Sequence, residues 1–152
     1  MPLWHLPKHY KRHKIRLKID CVIRLSRVSI NPPSLPTPKG YAHIVEAKDM
    51  KAIYFISGQV PVRRGRVISK DFTKQTELAF DNLKKALEHV GLSFSSVVKL
   101  NIYITDLRFL KELRKVRAKF LPGDALPAIT TVGVTALARR GAMIEVEAVA
   151  IK

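Results

Sequence analysis

Residues 71–106, DFTKQTELAFDNLKKALEHVGLSFSSVVKLNIYITD, change from a helical to a strand period within a few positions, and that change decides the fold. In the first half, Ala79, Leu83, Ala86, Leu87 and Val90 fall on one face of a 3.6-residue period, the mark of an amphipathic helix. Asp71 or Thr73 can cap its start, and Gly91 suits the left-handed position just past its end. In the second half SVVKLNIYITD alternates and is rich in β-branched residues, so it reads as a strand ending at Asp106.

Outward toward the C-terminus, Asp106 can cap a second helix whose buried stripe is Phe109, Leu110, Leu113, Val116 and Phe120, ended by Pro122-Gly123. Its other face carries Arg108, Lys111, Lys115 and Lys119. AITTVGVTAL and MIEVEAVAIK alternate across ARRGA and read as a hairpin. Outward toward the N-terminus, RRGRVI is a short turn. YAHIVEAKDMKAIYFISGQV reads as two strands joined at Lys48-Asp49-Met50, a second hairpin. The order is β-β-α-β-α-β-β, two helices on one face of a mixed sheet: an α+β two-layer sandwich. A two-layer subunit leaves the other sheet face uncovered, and if that face is apolar a second copy is expected to bury it.

Four prolines between residues 32 and 38 forbid a helix or a central strand and mark a connector. The domain is therefore drawn from residue 30 to 152, with residues 1–29 as a basic extension. Three readings stand for that extension: a basic arm, a helix packed on the body, or a wrongly assigned start codon. It holds eight Lys and Arg against one acid, within a chain of 28 against 12 and a formal charge of +16. Such charge attracts nucleic acid and anionic surfaces without specifying either. No apolar run is long enough to span a membrane, and the first twenty residues interleave charge too finely for a signal peptide. A lone cysteine, Cys21, excludes an internal disulfide, and a cytoplasmic location is expected. His5, His9 and His13 recur at a spacing of four, but no carboxylate or cysteine joins them, so no metal site is expected.

The last strand poses a question of its own. In MIEVEAVAIK, Glu145 and Glu147 share one face, with Val149 and Ile151, while Ile144, Val146, Ala148 and Ala150 share the other. Pattern alone assigns the carboxylates to a solvated sheet face.

Together PKGYAHIVEA, FISGQVPV, ELAFDNLKKALEHVGLSFSSVVKLNIYITDL and IEVEAVA resemble the RidA/YjgF family of reactive-intermediate deaminases, also called endoribonuclease L-PSP, over roughly residues 30–152. The resemblance implies a chorismate-mutase-like subunit, a homotrimer, and small-molecule clefts at the subunit boundaries where 2-imino acids are hydrolysed to 2-oxo acids and ammonia. In that family an arginine of a P-A-R-S-like motif grips the substrate carboxylate and a glutamate of the last strand positions water. Glu145 falls on that glutamate and Glu147 on a second, more structural one. Tyr41 matches the tyrosine overhanging the cleft and Gly58 the glycine whose backbone borders the ligand. Read from the residues alone, Tyr41 anchors a first strand and Gly58 ends one.

The chain departs from the family at LPAITTVGV, where Ile129 stands in place of the arginine and Thr131 in place of a common cysteine. Isoleucine donates no hydrogen bond. Losing one partner of a desolvated charge pair costs about 2–5 kcal/mol, so weak binding of short imino acids is expected. Arg114, near a position where relatives often carry asparagine, either reaches into the cleft or belongs to the solvated basic face with Arg108, Lys111, Lys115 and Arg117. The function expected is hydrolysis of a reactive imine or enamine, or ligand binding by a degenerate version of that site, with no cofactor. The alternative is a basic RNA-binding or endoribonuclease-like protein, whose aromatic residues are not interleaved with its charge.

Overall fold

Alternation and capping place the elements along the chain, and the computed structural model shows how they pair. It describes residues 26–121, 123 and 125–152; His5, His9, His13, Cys21 and most of the basic extension lie outside them. The strands are β1 (Ser26–Ile30), β2 (Ile44–Lys48), β3 (Ile53–Gln59), β4 (Val62–Arg63), β5 (Arg66–Val67), β6 (Val97–Ile104), β7 (Ala128–Gly133) and β8 (Ile144–Ile151). The helices are α1 (Phe72–His89) and α2 (Leu110–Phe120). Ser26–Ile30, largely ahead of the expected boundary at residue 30, pairs antiparallel with β2.

The main sheet has the order β3-β8-β6-β7, with β8 antiparallel to both neighbours and β7 parallel to β6. Neither expected hairpin forms. β2 pairs with β1 rather than β3, although Asp49 does make a turn, at φ 52°. β7 does not pair with β8 either. The parallel β6-α2-β7 crossover puts β7 at the sheet edge, and the ten residues between β7 and β8 are too long for a tight turn. They return β8 to the centre, where its apolar side is wholly buried. The short turn at RRGRVI is itself a small hairpin of β4 and β5, with Arg64 and Gly65 both at positive φ, the backbone of a two-residue type I′ connection.

Both helices cover one sheet face. Asp71, not Thr73, caps α1, its carboxylate accepting from the Lys74 N–H at 2.8 Å. Phe80, Leu83 and Leu87 of α1 meet Leu100, Ile102, Val146 and Ala148 in the core, each large side chain contributing about 1.5–3 kcal/mol by burial. Asp106 caps a 3-10 turn at Leu107–Phe109 that leads into α2. The aromatic residues of α2's stripe are internal: Phe109 stacks on Phe72 with ring centroids 4.5 Å apart, and Phe120 on Phe80 at 5.1 Å.

One buried polar side chain ties these layers together. Gln75 is fully enclosed; its Nε2 donates to the carbonyls of Ser69 at 2.7 Å and Gly141 at 3.0 Å, and its Oε1 accepts from the Met143 N–H at 2.7 Å. Every polar atom of the amide is thus satisfied, as burial demands, and the start of β8 is fastened to α1.

Candidate functional site

The second face of the main sheet carries the two carboxylates. On β8, residues 144, 146, 148 and 150 are buried beneath the helices, while Glu145, Glu147 and Val149 are half-buried on the opposite side. Glu147 sits opposite Asn101 and Glu145 opposite Tyr103 on β6. Asn101 Nδ2 and Tyr103 Oη both donate to Glu147 Oε1, at 2.8 and 3.0 Å. The hydrogen bond to Glu147 is the main cause that raises the Tyr103 pKa above its ordinary value, followed by burial and the charges of Glu147 and Glu145. Glu147 is therefore held by its neighbours.

Glu145 is placed differently. Its side chain lies over Gly58, so that a Cβ at residue 58 would stand 1.7 Å from Glu145 Oε1 and 2.9 Å from its Cγ. Gly58 lies inside β3, where the register to β8 shifts between Ile56 and Gln59. The glycine therefore makes room for the carboxylate rather than ending a strand. Farther along the same face, opposite Val149 and Ile151, β3 is apolar and open: Ile53 is 50% and Phe55 80% exposed.

Tyr41, Arg114, Ile129 and Thr131 come together elsewhere. They line a cavity of about 460 Å³ with Thr37, Lys39, Leu110, Leu113 and Arg117. On β7 the register pairs Ile129 with Leu100 and Thr131 with Ile102, both buried beneath the helices. Ile129 and Thr131 thus face α2, while Thr130 and Val132 share the outer face with Asn101 and Tyr103. Glu145 is two strands away and on the opposite face. Within one chain the structure does not bring Glu145 and Ile129 to one site.

Arg117 escaped the sequence reading, which set it on the solvated face of α2. It is instead buried, 8% exposed, while Arg114 one turn earlier is exposed at the cavity rim. Arg117 Nη2 donates to the Gly40 carbonyl at 2.9 Å. Gly40 has φ 77°, and a Cβ there would lie 2.7 Å from Arg117 Nη2; only glycine allows both the turn and the close approach. This contact fixes the turn that delivers Tyr41 to the cavity. Burial, and then the charge of Arg114, lower the Arg117 pKa. The signal was present as an i, i+4 relation to Leu113, which is fully buried, but a long cationic side chain is ordinarily assigned to solvent.

His43 is structural: its Nε2 is 2.8 Å from the Pro36 carbonyl and its backbone N–H donates to Asn31 Oδ1 at 2.9 Å. Among the described residues no cluster of His, Cys, Asp and Glu could hold a metal ion.

The family model described as endoribonuclease L-PSP matches residues 34–152. The chain belongs to the RidA/YjgF family. It is 34% identical over 128 residues to the mitochondrial protein mmf2 of Schizosaccharomyces pombe, covering 83% of this chain and 98% of that one. It is 30% identical over 125 residues to a 2-iminobutanoate/2-iminopropanoate deaminase of Dermatophagoides farinae, covering 80% and 94%. A Rid-family crystal structure from Yersinia pestis, YyfB, of unknown function, superposes with a TM-score of 0.75 at 30% identity, over 83% of this chain and 98% of that one. The α+β architecture of this RidA-family chain is that of its structural relatives. Among its described residues no helix is long and apolar enough to cross a membrane.

Proposed function

We propose that this RidA-family chain works as a homotrimer whose subunit boundaries hold small-molecule clefts, and that these clefts hydrolyse a reactive imine or enamine. The observation that carries the reading is the split of the site: Glu145 over Gly58 on the outer sheet face, and Tyr41, Ile129 and Thr131 in a cavity beside the edge strand. A complete cleft then needs two copies, one giving Glu145 and the other the cavity. The apolar exposure of Ile53 and Phe55 farther along the same sheet face supports burial of that face by a second copy.

In this reading the Glu145 carboxylate accepts a proton from water as the water oxygen attacks the imine carbon. With the imine nitrogen already protonated this gives a neutral amino alcohol; the proton on Glu145 passes to its nitrogen, and as the carbon–nitrogen bond breaks to release ammonia the hydroxyl proton returns to Glu145 or to water, leaving the 2-oxo acid. Tyr41 lies at the cavity wall to orient the ligand, and Gly58 leaves the room in which Glu145 and the water sit.

The RNA-binding alternative retains the basic face of α2 but lacks a stacking platform there, since Phe109 and Phe120 are committed to the core. The hydrolytic reading is tested by release of 2-oxo acid from an imine generated in situ by a dehydratase. Turnover by the native chain and its loss in Glu145→Gln is the expected result. Turnover by Ile129→Arg alone would mean that the native chain binds a ligand without hydrolysing it.

A further inference from the structure

With isoleucine at residue 129, the cavity has no guanidinium on its strand wall, yet it is strongly cationic. Lys39, Arg114 and Arg117 all line it, with the hydroxyls of Thr37, Tyr41 and Thr131, and among the described residues no carboxylate belongs to the lining. Among the described residues none of the three cations is within ion-pair distance of an acid. Arg117 is the fixed member. It is more than nine-tenths buried, its Nη2 is held by the Gly40 carbonyl, and its other donors have no partner among the described residues. Those donors are not sealed in protein, because Arg117 is absent from the enclosed groups that lack a partner. A guanidinium so held presents its free edge to the cavity with little rotamer freedom left to lose on binding.

The geometry points to Arg117 as the anchor of an anionic ligand, with Arg114 and Lys39 as flanking charges, and to a ligand that carries two negative charges. This rests on the inter-subunit cleft proposed above. There the neighbouring copy's Glu145 offsets one of three cations and leaves two for the ligand. An imine with a single carboxylate would pair only one of the remaining cations, whereas a dicarboxylate or an organic phosphate would pair both, Arg117 from its buried position and Arg114 or Lys39 from the exposed rim. The apolar floor of Leu110, Leu113 and Ile129 fits a short carbon chain between the charged ends. The replacement of arginine by Ile129 is thereby explained as a transfer of the anion anchor from the strand to the helix, with a change in ligand charge.

The test is calorimetric titration of the full-length chain with 2-oxoglutarate and with 2-oxobutanoate at one ionic strength. The dianion is expected to bind more tightly, on the order of tenfold or more. Arg117→Met is expected to weaken 2-oxoglutarate by roughly 30-fold or more, with partial recovery in Arg117→Lys. Lys39→Ala combined with Arg114→Ala, at positions that leave the Gly40 contact intact, is expected to erase most of the preference for the dianion. Lys111→Ala with Lys115→Ala, on the opposite side of α2, should change neither affinity.

Equal affinities for the two probes overturn the inference. So does a Lys39→Ala/Arg114→Ala double variant with unaltered preference, which decides the matter even if Arg117→Met does not fold. An equal loss in Lys111→Ala/Lys115→Ala also overturns it, by showing diffuse attraction alone. Glu145→Gln separates the two readings. If the native chain shows no turnover while the dianion preference depends on Arg117, the hydrolytic reading falls and the anion site stands. If turnover depends on Glu145 while KM and affinity ignore Arg117, Arg114 and Lys39, only the anion site falls.

Discussion

Two residues on the outer sheet face report on each other. Gly58→Ala would drive a methyl into the space that the Glu145 side chain occupies, and because Cγ as well as the carboxylate is close, the whole side chain must turn away. The expected result is a loss of 2-oxo acid release comparable to that in Glu145→Gln, with a stability cost of about 1–3 kcal/mol from overpacking, read by urea unfolding. Tyr103 gives a pH signature. Its folded pKa is raised, chiefly by its hydrogen bond to Glu147. The stability it contributes is therefore fully present below the unfolded tyrosine value and is lost as pH rises through the folded value. The difference in ultraviolet titration between the native chain and Tyr103→Phe should show a phenol ionising above the ordinary tyrosine range, and Glu147→Gln should return it toward that range. At this scale the sequence was legible where alternation alone decides a face, as for Glu145 and Glu147 opposite the buried Ile144 and Val146. It misled at Arg117, because the burial of a cation depends on a carbonyl contributed from residue 40, a contact between positions 77 apart in the chain.

The helices were readable because their period and caps are local. α1 spans Phe72–His89 with Asp71 at its cap, and the buried stripe of α2 contains Leu113 and Val116 as expected. Strand partners were not readable, because alternation states which side is buried without saying which strand lies beside it. Both hairpins inferred from sequence joined strands that are neighbours in the chain, whereas β8 inserts between β3 and β6 and β7 is reached by a helical crossover. Gln75 is the residue that secures this non-local arrangement. Gln75→Leu would strip partners from the Met143 N–H and from two carbonyls. Since each buried polar group left unsatisfied costs about 1–3 kcal/mol, a loss of roughly 3 kcal/mol or more is expected. Urea denaturation measures it, and Asp71→Ala serves as a milder reference at about 1 kcal/mol for a lost cap.

At the scale of the whole molecule, the two-layer count already implied an uncovered sheet face, and the exposed Ile53 and Phe55 on β3 give that face its apolar character. Phe55→Glu places a charge where a second copy would pack. Light scattering is expected to give about three times the 17.2 kDa chain mass for the native protein and a shift toward one chain mass for the variant. The central claim is that each cleft combines Glu145 of one copy with the Arg117 cavity of another. Its most direct test is complementation of two impaired variants, assayed at a substrate concentration too low for Arg117→Met to turn over. Glu145→Gln and Arg117→Met are each prepared alone, then mixed, dissociated and reassembled. Where one copy supplies an intact Glu145 and its neighbour an intact cavity, a working cleft returns. Recovery of about a quarter of native turnover is expected, from random assortment of two subunit types. A reassembled mixture no more active than the separate variants, alongside a native chain that turns over, would contradict a site shared between subunits.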